Sequence, residues 1–501
     1  MINFFYPIFS DFEFFLSEIL LITMFCIFFV FLIIFGNSKL LKFPLVINIS
    51  IFSLLFIIFF VFLLNLNVFY INFTLFNFEI ESNSFFVFLK VLILICFFLC
   101  FLFYINNFNY EGNKNYEIIV LFCLSVIGML FLISSRDFLI MFLSLELTSL
   151  SFYILACSNK ESSLSTEAGL KYFVLGSFSS GILLFGFCIV YGITGLINLN
   201  DIFLLIQNVN LEDSVWINTI LLGFVFIFIS LLFKIGASPF HVWVPDVYEG
   251  VSIIITSFFA IVPKISIFAF LIKIFFLFNF SFFFETFQSI LIFCSILSLF
   301  IGTFGAIYQY KLKRFLAYSA ISNIGYFLLS FVTCNVEGLY SFLVYLLIYL
   351  INLFIFFLIL CSIRKRNNLL IVDINDLKIL KETNPIMAFL FCINLFSMAG
   401  VPPLAGFYGK FYVFLNLINS EFYFLAFLGV IFSVISSFYY IRLIKILFFE
   451  SQNKRNLIKP IDFLSSILIS IFSLFNLFFF VYPSFILEFF YFISLNFFLI
   501  I

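Results

Sequence analysis

Runs of about 20 apolar residues, the length an α-helix needs to cross the hydrocarbon core of a bilayer, recur along almost the entire chain. With that ruler the sequence divides into fourteen spans, at roughly 14–35, 43–64, 84–105, 117–134, 138–157, 166–194, 217–246, 251–278, 285–308, 315–333, 338–363, 385–418, 422–448 and 462–482. The tail 484–501 is apolar too and is expected to lie along the bilayer surface or to pack on a neighbour. Hydrophobic residues make up 65% of the chain and charged residues 10%, where a soluble domain carries about a quarter charged. A soluble fold of this length has too little interior to hide so much apolar surface. The expected fold is therefore an all-α polytopic membrane protein, solvated by lipid over its whole length. No soluble domain and no separating linker interrupts residues 1–501. A net charge of −1 offers no attraction to nucleic acid.

Two compositional features add little chemistry. The 91 phenylalanines, with abundant Ile, Leu and Asn, occur at every depth of every span, which packing does not require. AT-rich codons would produce this mixture, and we read it as the mark of an AT-rich genome such as an organelle's; the base composition of the gene tests that. The ten cysteines form no CxxC pair and are expected to act as small apolar residues, without metal or disulfide. Met1 to Ser10 is apolar and is followed by Asp11 and Glu13, so no basic leader is expected.

Lysine and arginine in loops orient a membrane protein. One side collects Lys39, Lys42, Lys114, Lys160, Lys311, Lys313, Arg314, Arg364, Lys365, Arg366, Lys378, Lys381, Arg442, Lys445, Lys454, Arg455 and Lys459, which is 17 of the 24 cationic residues. The other side has only Arg136. One missed span would scramble this asymmetry, so it supports the count and places both termini on the outer side.

Six lysines remain, at 90, 171, 234, 264, 273 and 410, all inside spans, together with the acid Glu146. A charge at the bilayer centre costs roughly 2.5–3.5 kcal/mol on insertion scales, so such residues face a protein interior or a wet cavity and mark ion pathways. Lys264 falls near the middle of its span, Lys234 just past the middle, and Glu146 about 12 Å from the outer end of its helix at the usual rise. Lys90 and Lys273 lie near span ends and are expected to snorkel; Glu18 is expected to be structural or interfacial. For each deep charge the plain alternative is a fixed ion pair locking two helices. One acid and several lysines on five helices favour proton transfer, because small residues and apolar packing serve pure structure better. Burial disfavours an ammonium and a nearby carboxylate restores it, so a lysine beside Glu146 can bind or release a proton as their separation changes. His241 can join such a relay, or can be a hydrogen-bonded packing residue.

Two spans are broken. FKIGASPFHVWVPD carries Gly236, Pro239 and Pro245; SMAGVPPLAGFYGKF carries Gly400, Pro402, Pro403 and Gly406. Proline removes a backbone donor and clashes with the preceding turn, and freed carbonyls at membrane depth are tolerated only in protein or in a wet cavity. An ordinary proline kink is the simpler alternative, yet each break has a deep lysine beside it, Lys234 or Lys410. The shared frame G-x-x-P lies in the seventh and twelfth spans. An offset of five spans reverses direction, which predicts inverted repeats with ion sites at interrupted helices. The first repeat is expected over 117–278 (helices 4–8) and the second over 285–448 (helices 9–13). Helices 1–3 at 14–105 precede them and helix 14 with the tail, 462–501, follows.

The strings LSLELTSLSFYIL, EAGLKYFVLGSFSSG, FKIGASPFHVWVPDVYEG, VPKIS, KRFLAYSAISNIGY and GVPPLAGFYGKF resemble the NADH–ubiquinone oxidoreductase chain 2 family, called subunit N in bacteria. The likeness is strong over spans 4–13 and loose at the ends. It implies a fourteen-helix fold with two inverted five-helix repeats. It implies a proton-translocating, antiporter-like subunit of respiratory complex I, an H+-translocating NADH:ubiquinone reductase whose redox chemistry happens elsewhere. Carried over by motif, Glu146 pairs with a lysine, with Lys171 and Lys234 as its partners. Lys264 becomes the central connecting lysine and Lys410 that of the second half-channel. The family binds no cofactor in this subunit; NADH, FMN, iron–sulfur clusters and ubiquinone belong to partner subunits. Partners implied are another antiporter-like subunit and small membrane subunits, in the mitochondrial inner membrane or, alternatively, a bacterial or plastid membrane. Where the family pattern usually has a histidine this chain has Asn323, which puts a titrating role there in doubt. Two other classes share these features: a subunit of a multi-subunit cation/proton antiporter, and a membrane scaffold without transport.

Overall fold

The computed structural model describes residues 16–35, 73–75, 79–108, 117–159, 161–208, 214–277, 283–364, 372–450 and 460–498. The expected span 43–64 lies outside the described residues. The rest is overwhelmingly helical. Helix α1 (Leu16–Phe35) is followed by a short antiparallel hairpin, β1 (Phe73–Leu75) with β2 (Ile80–Ser82), and by α2 (Ser84–Phe108). Then come α3 (Glu117–Ser134), α4 (Phe138–Ala156), α5 (Ser163–Thr194), α6 (Leu199–Asn208), α7 (Ser214–Ile235), α8 (Trp243–Gly250) and α9 (Ile253–Leu277). The second half has α10 (Phe284–Ile307), α11 (Leu312–Phe331), α12 (Val336–Ser362), a 3-10 turn at Ile374–Lys378, α13 (Ile379–Thr383), α14 (Pro385–Ala399), α15 (Ala405–Asn419) and α16 (Tyr423–Phe449). Helices α17 (Phe463–Phe478) and α18 (Ser484–Phe498) close the chain.

Among the described residues nine helices are long and apolar enough to cross a membrane. The others fall short of the expected count for physical reasons. Span twelve is two pieces of 15 residues, α14 and α15, and α17 is only 16 residues long; span seven still counts through α7, although its end is split off as α8. The described part of the tail, α18, packs on the chain itself. Phe497 on α18 packs 4.6 Å from Phe85 and 5.8 Å from Phe276, ring centre to ring centre.

Two units of like element order are visible: α3, α4, α5, the α7/α8 pair and α9, then α10, α11, α12, the α14/α15 pair and α16. Each contains a matching backbone tie. In the first, Asp137 bridges Asn198, with Leu199 N donating to Arg136 O at 3.1 Å. In the second, Lys311 bridges Asp373, with Ile374 N donating to Tyr310 O at 3.0 Å. One tie sits beside Arg136 at the cation-poor end and the other beside Lys311, Lys313 and Arg314 at the cation-rich end. Equivalent elements thus point oppositely, as an inverted repeat requires. The core lies where the units meet. Spans α9 and α12 are 94% and 89% buried, against 33% for α5.

Lys90 and Lys273 do not snorkel. Both are buried. Lys90 Nζ lies 2.5 Å from Glu18 Oε1, tying α2 to α1. Lys273 Nζ donates to the carbonyls of Ile133 and Ser135 at 3.0 and 2.7 Å and stands 3.7 Å from Glu81 Oε2. Arg136 Nε meets the same oxygen at 2.6 Å. Closeness to a span end let these ammonium groups reach headgroups, but the hairpin and α1 supply carboxylates inside the protein, and a charge-assisted hydrogen bond there needs no exposure.

Burial pushes the Glu81 carboxyl up, yet the charges of Lys273 and Arg136 outweigh it and hold the group below the ordinary carboxylate range. A carboxyl so depressed contributes stability above its unfolded value and loses it as pH falls through the folded one. Glu81→Gln leaves Lys273 and Arg136 buried together without their anion. We expect it to cost about 3–5 kcal/mol, read as a lower unfolding temperature in detergent. Adding Lys273→Met should return part of the loss, and the wild-type advantage over Glu81→Gln should vanish at acid pH.

Candidate functional site

Helix α7 ends just past Lys234 for a local reason. Gly236 takes the left-handed conformation, φ +83°, and its N–H and that of Ala237 fold back onto Leu232 O at 3.1 and 3.0 Å. A Cβ on Gly236 would stand 2.6 Å from Val244 Cγ2, so glycine is required twice over. The second break copies the first. Gly400 has φ +87°, and its N–H and that of Val401 return to Phe396 O, both at 3.1 Å.

Lys234 precedes its break in sequence and Lys410 follows its own. Lys234 belongs to the last turn of α7. Lys410 sits on α15, beyond its break, but its Nζ reaches back to donate to Ala399 O, the last residue of α14, at 2.9 Å. The Lys410 ammonium is thus delivered to the C-terminal end of its leading half-helix, where unpaired carbonyls and the helix dipole favour a cation, whereas the Lys234 ammonium, carried by the last turn of its own half-helix, has no carbonyl partner among the described residues.

Glu146 Oε1, on α4, lies 4.0 Å from Lys234 Nζ. That is an ion pair stretched beyond hydrogen-bond length, and among the described residues neither atom has a hydrogen-bond partner. The other carboxylate oxygen lies 3.3 Å from Ser149 Oγ. A cavity of about 40 Å³ is lined by both Lys234 and Lys264, with Ser149, Thr148 and Tyr153 among its polar walls. That volume accommodates water. Lys264 follows Pro263 inside α9, where the proline cannot donate to the carbonyl of Phe259. Its Nζ donates to the Tyr349 hydroxyl at 2.9 Å, across the α9–α12 contact. A second cavity, of about 20 Å³, is lined by Tyr349 and Lys410 together. Glu146, Lys234, Lys264, Tyr349 and Lys410 thus follow one another along a line of contacts and two small cavities.

Lys171 and His241 stand off that line. Lys171 Nζ is 2.9 Å from Glu167 Oε1 and 2.9 Å from Asp246 Oδ2, and Arg314 holds the other Asp246 oxygen at 2.9 Å. This cluster is half-exposed, beside Lys311 and Glu249 at the cation-rich end. His241 lies in the break between α7 and α8, half-buried, with Nδ1 unpartnered among the described residues and outside the 40 Å³ cavity. Asn323 Oδ1 accepts the Tyr345 hydroxyl at 2.8 Å. Sequence reasoning passed over Asp246 and Tyr349. Asp246 stood inside PFHVWVPDVYEG. Tyr345, Tyr349 and Asn352 at i, i+4 and i+7 form a polar stripe on the otherwise apolar α12, a helical-period signal that was there to be read.

Residues 135–436 match the family described as NADH:quinone oxidoreductase/Mrp antiporter, transmembrane. The NADH-ubiquinone oxidoreductase chain 2 of Marchantia polymorpha is 44% identical over 381 residues, 76% of this chain and 77% of that protein. NADH-quinone oxidoreductase subunit N of Parvibaculum lavamentivorans is 38% identical over 403 residues, 80% of this chain and 82% of its own. Among solved structures, a chain of respiratory complex I from Thermus thermophilus superposes with a TM-score of 0.77 at 23% identity, covering 94% of this chain and 98% of that one. A chain of the Mrp complex from a Dietzia species gives 0.78 at 17% identity, covering 96% and 97%. These last two likenesses concern fold.

Gly236→Ala meets both a strained φ and the Val244 side chain, so it should destabilise by about 1–3 kcal/mol, seen as a lower unfolding temperature in detergent. Val244→Ala in the same chain relieves the collision and leaves the backbone strain, and should therefore recover only part of the loss.

Proposed function

The chain belongs to the NADH–ubiquinone oxidoreductase chain 2 (NADH-quinone oxidoreductase subunit N) family, and from that premise we propose that it moves protons through the Glu146–Lys234–Lys264–Lys410 line. It is an integral membrane protein and a subunit of a membrane complex, the H+-translocating NADH:quinone oxidoreductase. The redox steps belong to other subunits, which hold NADH, FMN, the iron–sulfur clusters and ubiquinone; this chain is read as carrying none of them. Its neighbours in this reading are another antiporter-like subunit and small membrane subunits.

The observation that carries the reading is the stretched pair, Glu146 Oε1 to Lys234 Nζ at 4.0 Å, opening on a cavity shared with Lys264. A closed pair holds the ammonium charged; separating it weakens the attraction and frees the proton to move toward Lys264. Small shifts in the α4–α7 distance then control the first step. Lys264 hands on toward Lys410, whose ammonium the α14 carbonyl end supports. The Lys171–Asp246–Arg314 cluster is read as lining the approach from the cation-rich side, with His241 near it. The loop charges support a matrix-side location for that end and outer-side termini. The Phe- and Asn-rich composition supports a mitochondrial inner membrane.

Complexes carrying Lys234→Ala or Glu146→Ala should assemble at normal abundance and lose about tenfold or more of NADH-driven proton pumping. Complex content is measured beside proton uptake in vesicles. Normal pumping in both variants, or loss of the complex instead of the pumping, would reject the reading in favour of a scaffold.

A further inference from the structure

We propose that Tyr349 is the residue through which Lys264 and Lys410 exchange a proton, so that the passage between the two halves is uncharged. This inference rests on the proton-path reading above. Tyr349 is on α12, and its ring is held edge-on by Phe327 at 5.4 Å. Its hydroxyl accepts from Lys264 Nζ at 2.9 Å. The same side chain lines the cavity that Lys410 enters. The tyrosine therefore touches the outgoing lysine directly and faces the incoming one across about 20 Å³ of space, room for a single water.

The walls of that cavity suit a water and no second charge. Asn323, Tyr345, Asn352 and Ser397 complete its polar lining. Asn323 is occupied as the acceptor for Tyr345, and Asn352 Oδ1 accepts from Ser397 Oγ at 3.1 Å and from Asn476 Nδ2 at 2.9 Å. None of these side chains gains or loses a proton near neutral pH. A phenol hydroxyl is both donor and acceptor, which is what a connecting group needs. In one transfer, the Lys264 ammonium gives a proton to the Tyr349 oxygen. The proton already on that oxygen goes to the cavity water, and a water proton goes to the neutral amine of Lys410. Tyrosine and water end as they began, Lys264 is left neutral and Lys410 is charged.

The relay also joins the halves mechanically. Lys264 belongs to the first repeat and Tyr349 to the second, so a small rotation of α9 against α12 breaks the first hydrogen bond of the chain without disturbing the helix that carries Lys410.

The test compares complexes carrying Tyr349→Phe, Tyr349→His, Ser397→Val, Lys264→Ala and Lys410→Ala, scoring complex content and protons pumped per NADH oxidised. Phenylalanine keeps the ring and its packing, so the content should hold while pumping falls about threefold or more. Histidine, which can carry protons, should restore much of it. Ser397→Val fills the cavity without touching a lysine and should lower pumping likewise, which serves if the Tyr349 variants fail to assemble. If both lysine variants lose pumping while Tyr349→Phe and Ser397→Val keep it, the role of Tyr349 is wrong and the lysine path stands. If the lysine variants also pump normally, the path itself is wrong.

Discussion

An ammonium group at membrane depth must find its partners within the protein, and this fold builds them from broken helices. The end of a leading half-helix offers carbonyls that no later turn satisfies, and the helix dipole adds a negative field there. Both breaks are made by the same backbone motif, a left-handed glycine with two amides folded back on one carbonyl. Both have a lysine beside them: Lys410 reaches back across the gap to the carbonyl of Ala399, and Lys234, in the last turn of its own half-helix, stands 4.0 Å from Glu146. At the second break the charge that would be costly in lipid is thereby supported by a backbone carbonyl, and it can be withdrawn without leaving a buried carboxylate stranded. Among the described residues only the first site has an acid paired with its lysine, Glu146, so the two halves are alike in scaffold and unequal in charge.

Burial distributes the remaining tasks. The helices that carry Lys264 and Tyr349 are the most enclosed spans of the structure, so their hydrogen bond forms where water is scarce and each polar contact counts for more. Peripheral charges do something different. Lys90 meets Glu18 and Arg136 meets Glu81 at hydrogen-bond distance, while Lys273 is satisfied by the Ile133 and Ser135 carbonyls with Glu81 at 3.7 Å, and these contacts fasten the first helix and the hairpin to the bundle. Lys264 and Lys273 share α9 but are nine residues apart, which at 100° per residue puts them on opposite faces. One face of that helix serves transfer and the other attachment. A short, saturated pair suits a lock, whereas the 4.0 Å pair of Glu146 and Lys234 suits a group that must let go.

Much of this was readable in the residues. Apolar runs of spanning length, the loop-charge asymmetry, the G-x-x-P frames and the misplaced charges each follow from one-dimensional rules, since lipid penalises any exposed polar group by position along the helix axis. They led to an all-helical membrane protein with interrupted seventh and twelfth spans, and to Glu146, Lys234, Lys264 and Lys410 as its deep charges. Depth along an axis says nothing about direction around it. Which lysine faces Glu146, why Lys171 turns instead to Glu167 and Asp246, why Lys90 and Lys273 are buried, and that Tyr349 rather than a charged residue meets Lys264 all depend on how helices far apart in sequence are rotated against each other. Only tertiary packing sets that rotation, because in a chain so uniformly apolar the sequence pattern alone gives a helix no preferred face.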